Sequence, residues 1–86
     1  MPSYLVEMYL AGGHERHLAA CRRRARSAAA ELSQVSFDRS IHVPEDEICF
    51  FVFDAPSGRV AALAAQRACL DPFRVVEVIS SGKDGR

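Results

Sequence analysis

The chain has 86 residues, 49% of them hydrophobic, which is enough for one domain and too few for two. Eleven Lys and Arg balance eleven Asp and Glu, so composition supplies no net field for a polyanion, and nucleic acid is excluded as a partner unless a local patch exists. No run approaches the roughly 20 apolar residues that span a bilayer, and Met1-Pro2-Ser3-Tyr4 lacks a basic segment followed by an apolar run, so a cytoplasmic protein without membrane contact is expected.

Three cysteines, an odd number at low density, fit reduced thiols rather than a disulfide framework, with Cys69 expected to pack.

Tyr4, Val6, Met8 and Leu10 alternate with Leu5, Glu7 and Tyr9, a period of two with apolar groups on both sides. This first strand is expected to be central. Ala11-Gly12-Gly13 breaks it. Leu18, Cys21, Ala25, Ala28 and Leu32 then recur at helical steps, with Arg22, Arg23 and Arg26 largely off that stripe.

From Val35 to Val43 apolar residues again alternate with Ser36, Asp38, Ser40 and His42, which predicts a half-polar edge strand. Pro44-Glu45-Asp46-Glu47 is a turn, and Ile48 to Phe53 is a strand apolar on both sides, hence central. Asp54-Ala55-Pro56-Ser57 offers a cap for a second helix carrying Val60, Leu63, Ala64 and Ala68. Asp71-Pro72 ends it, Phe73 to Ile79 is the last strand, and residues 80–86 form a polar tail expected to be flexible. The domain is therefore expected to span residues 1–79.

The order strand, helix, strand, strand, helix, strand is the ferredoxin-like α+β arrangement, an antiparallel sheet with both helices on one face. Its first and third strands are central, in agreement with the two strands that are apolar on both sides.

A four-residue turn pairs Val43 with Ile48, His42 with Cys49, Ser40 with Phe51 and Asp38 with Phe53. The more apolar side of this hairpin, with Phe37, Ile41, Phe50 and Val52, is assigned to the helices. Phe51 and Phe53 then stand on the open side with Leu5 and Tyr9, an apolar patch that a homodimer interface would cover. Such pairing leaves room for a small-molecule ligand among Glu7, His42 and Cys49.

Opposed His42 and Cys49 lie within reach of one divalent ion, and imidazole with thiolate suits nickel or zinc. His14 and His17, three residues apart at the first helix's start with Cys21 four further on, form a second candidate group. The run Arg22-Arg23-Arg24 with Arg26 is a solvated face able to meet an anion or an acidic partner. The same element order occurs in RNA-recognition domains, but Asp46-Glu47 stands where that motif has a basic residue and glycine.

Three phrases, Ser3-Tyr4-Leu5-Val6-Glu7, His42-Val43-Pro44-Glu45-Asp46-Glu47-Ile48-Cys49 and Asp54-Ala55-Pro56, resemble a family of short ferredoxin-like proteins that includes a nickel-binding protein. The resemblance runs from about Pro2 to Ile79. It implies a dimer that binds nickel, without an established reaction. The family pattern carries a histidine in the second helix, where this chain reads Ala61-Ala62-Leu63-Ala64-Ala65-Gln66-Arg67-Ala68.

The expected function is thus a homodimeric metal-binding or metal-responsive protein with His42, Cys49, His14 and His17 as ligands. A cofactor-free enzyme with a pocket at Glu7 and His42 is one alternative, and a module whose open sheet docks another protein is a second.

Overall fold

The computed structural model describes residues 1–10 and 15–79. Its elements are β1 (Ser3–Tyr9), α1 (Glu15–Glu31), β2 (Ser36–Val43), a 3-10 turn (Pro44–Asp46), β3 (Ile48–Asp54), α2 (Gly58–Arg67) and β4 (Arg74–Val78). The four strands form one antiparallel sheet in the order β2-β3-β1-β4. This is the ferredoxin-like α+β fold, with the doubly apolar strands β1 and β3 at its centre.

Local chemistry places the joints. Ser57 caps α2, its side-chain oxygen accepting from the Val60 N–H at 3.3 Å. Glu47 closes the hairpin turn in the left-handed region at φ 53°, its N–H donating to the Pro44 carbonyl. The Glu47 carbonyl accepts from the Leu10 N–H at 2.8 Å, which ties the turn to the end of β1.

α2 ends with Cys69 at φ 59°, where the Cys69 N–H donates to Gln66 and the Leu70 N–H to Ala65, each at 3.0 Å. That is a Schellman stop with cysteine at the position usually held by glycine. Cys69 is therefore exposed, not packed as its sequence context suggests, because the left-handed turn swings it off the helix's buried stripe.

The side of the sheet under the helices is lined by Tyr4, Val6, Met8 and Leu10 of β1 and by Cys49, Phe51 and Phe53 of β3, all buried. This reverses the expected orientation of the hairpin: Phe51 and Phe53 are wholly buried against the helices and are not on the open side. The reason lies in side-chain volume. α1 presents Cys21, Ala25, Ala28 and Ala29, and α2 presents Ala61, Ala64, Ala65 and Ala68. Stripes this small bring each helix close to the sheet, and the remaining space must be filled by large rings rising from below. Phe51, Phe53 and Phe37 supply them, with Phe37 5.4 Å from Phe53 and 6.0 Å from Phe51 between ring centroids. Leu63, expected on the buried stripe of α2, is exposed.

The pairing itself agrees with the four-residue turn: Val43 faces Ile48, His42 faces Cys49 and Ser40 faces Phe51. Beyond Arg39 a bulge at Asp38 shifts the register, so Phe37 and not Asp38 meets Phe53. His14 and residues 80–86 lie outside the described residues.

Candidate functional site

The sheet divides the chemistry-bearing residues into two groups. Beneath α1, His42 on the edge strand faces Cys49 on the central one, and both turn toward the helices. Cys21 on α1 is buried above them, and its Sγ lies 3.8 Å from Nε2 of His17, one helical turn earlier. Arg24 joins the same cluster, donating from Nη2 to the Cys21 Sγ at 3.4 Å and from Nε to the Ala68 carbonyl at 2.8 Å.

Electrostatics here favour a neutral Cys49 thiol. Burial pushes the Cys49 thiol from 9.0 up to about 11, the neighbouring Cys21 adds to the rise, and Arg22 opposes it. His42 holds a buried Nε2 with no hydrogen-bond partner. Among the described residues, no three His, Cys, Asp or Glu side chains converge on one metal-sized point. Of the expected ligands, His42 faces Cys49 and His17 lies beside Cys21, while His14 falls outside the described residues. Cys21, which also lies on the apolar stripe of α1, meets His17 through their i, i+4 relation.

The open side is different. Leu5, Glu7 and Tyr9 stand there as expected, but their neighbours on β3 are Val52, Phe50 and Ile48. β2 adds Ile41 and Val43, and β4 adds Val76 and Val78, so this side is more apolar than the sequence reading proposed. Tyr9 stacks on Phe73 with centroids 4.7 Å apart, and the two rings remain 69% and 46% exposed. Glu7 is buried, and its Oε2 accepts from the Arg74 Nε at 3.0 Å.

Glu7 and His42 therefore lie on opposite sides of the sheet. They do not share the one pocket expected from the sequence: Glu7 pairs with Phe50 on the open side, whereas His42 pairs with Cys49 under the helices.

Among the described residues no helix is long and apolar enough to cross a membrane. No protein-family model matches the chain, and no curated protein matches it. Its fold is similar to that in the crystal structure of SCO4226 from Streptomyces coelicolor A3(2), with a TM-score of 0.80 and 15% sequence identity, over 93% of this chain and 99% of that one. At that identity the likeness is one of fold alone.

Proposed function

We propose that this chain acts as a homodimer whose copies pair through the open faces of their sheets, and that it takes up a divalent transition metal beside His42 and Cys49. The observation that carries the pairing is the uncovered apolar side built from Leu5, Ile41, Phe50, Tyr9 and Phe73. Four strands about 4.8 Å apart and five to eight residues long give a flat area of roughly 400 Å². That is as large as the biggest apolar patch on a typical monomer, and small beside the ~800 Å² per partner of a standard interface. A reversible pair of moderate affinity is the natural outcome, with two-fold symmetry placing the same patch on both copies.

The metal reading rests on the buried, unpartnered Nε2 of His42 next to a cysteine. Leaving such a group unsatisfied costs about 1 to 3 kcal/mol, and a bound water or an ion relieves it. Imidazole and thiolate suit nickel, the metal of the resembled family, or zinc. His17 and Cys21 stand ready as further donors on α1. Because Cys49 is a neutral thiol near pH 7, metal uptake must displace its proton and strengthens as pH rises. Calorimetric titration of the apo-protein with nickel at pH 7 and pH 8.5 tests this. Tighter binding at the higher pH, weakened by His42→Ala, supports the assignment; affinity indifferent to that substitution removes it.

A further inference from the structure

The balanced total charge conceals a strong segregation between layers. α1 and α2 carry seven of the ten arginines and two acids, Glu15 and Glu31. The strands and loops of residues 1–79 carry eight acids against Arg39 and Arg74. Among the described residues, the helices are basic and the strands and loops acidic.

Several of these arginines are already engaged. Arg67 pairs with Glu31, Arg24 holds the Ala68 carbonyl, and the Arg26 guanidinium lies 5.5 Å over the Phe37 ring. Arg16, Arg22 and Arg23 are exposed and have no acidic partner among the described side chains. Arg16 and Arg23 are seven residues apart, two turns, and so point the same way, with Arg22 and Arg26 flanking them toward β2. Like charges one turn apart, such as Arg22 and Arg26, destabilise a helix, so this face gains from a counter-charge.

We infer that the outer face of α1 is a docking surface for the phosphate backbone of a nucleic acid. Charge complementarity is the first argument. The second is what the outward strip lacks: between the arginines it offers Ser27 and Ala30, both small and exposed. A protein partner is normally anchored by buried aromatic or aliphatic side chains, and a membrane-surface helix needs an apolar face. A phosphate backbone needs neither, and guanidinium groups donate to its oxygens in bidentate fashion. From Arg16 to Arg26 the helix rises about 15 Å, enough to track several consecutive phosphates. The helix layer lies opposite the open sheet side, so a sheet-paired dimer would display two such faces outward. This inference departs from the expectation of no nucleic-acid partner, which rested on a net charge of zero, and takes instead the local patch on α1.

The test is fluorescence anisotropy of a labelled mixed-sequence DNA duplex of about 20 base pairs with the full chain, from 20 to 200 mM NaCl. Three to four phosphate contacts give a log–log salt slope of about −3. The double substitution Arg16→Gln with Arg23→Gln is expected to weaken binding at least tenfold with an unchanged circular dichroism spectrum, while Arg39→Gln on the far side of the sheet leaves it unaltered. Absence of binding at 20 mM NaCl overturns the inference. So does a flat salt dependence, insensitivity to the double substitution, or equal or tighter binding of polyglutamate or phosphatidylglycerol vesicles.

Discussion

Phe37 lies directly across from Phe53 on the helix side of the sheet, because the bulge at Asp38 adds one residue to the edge strand. That single residue keeps the ring of Phe37 in the core. Removing buried Phe53 should therefore be severe: Phe53→Ala is expected to cost about 3 to 5 kcal/mol in urea unfolding. Phe50→Ala on the open side, measured at a dilution where copies are apart, should cost well under half of that. Equal losses at the two positions would mean that the faces are assigned wrongly.

The order of elements was legible in the sequence for a definite reason. β1 and β3 alternate between two apolar sets, which only central strands do, and the turn at Pro44 to Glu47 set the pairing of His42 with Cys49 correctly. Which side of the hairpin faced the helices was harder. On β3 the sets Ile48, Phe50, Val52 and Cys49, Phe51, Phe53 are both apolar, so β3 itself carries no polar cue. The polar residues Ser40 and His42 of β2 argued for the wrong side. The usable signal sat elsewhere, in the alanine stripes of both helices, which demand the larger rings beneath them. The pairing of His17 with Cys21 was legible from spacing alone, whereas the buried Nε2 of His42 and the Arg74–Glu7 pair required the fold.

Cys69 stops α2 in a left-handed conformation that costs an ordinary side chain about 1 to 2 kcal/mol. Cys69→Gly is expected to raise stability by about 1 kcal/mol, seen as a higher midpoint in thermal melts. A lower midpoint would contradict the Schellman geometry.

The Cys49 thiol makes stability fall in alkali. Below pH 9 it is protonated in folded and unfolded chains alike, and its contribution is intact. Between 9.0 and about 11 the unfolded chain sheds the proton while the folded chain retains it, so stability declines as pH rises. Melting temperatures from pH 8 to 11 should drop less steeply for Cys49→Ala than for the parent. Identical slopes would show that burial does not hold this thiol neutral.

The arginines of α1 are not equivalent. Arg24 donates to the carbonyl of Ala68, the residue that caps α2, a charge-assisted contact at a helix C-terminus. Arg24→Gln is expected to cost about 1 to 2 kcal/mol in chemical denaturation, while Arg23→Gln stays within about 0.5 kcal/mol of the parent. Comparable losses would argue against the clasp between the helices.

Sedimentation equilibrium over 1 to 200 μM addresses the sheet pairing most directly. The parent chain should move from the 9.5 kDa of one copy toward twice that mass as concentration rises. Phe50→Asp should stay at the single-copy mass throughout, with an unchanged circular dichroism spectrum. A parent protein that remains at the single-copy mass at 200 μM, or a Phe50→Asp variant that associates as the parent does, would contradict the account.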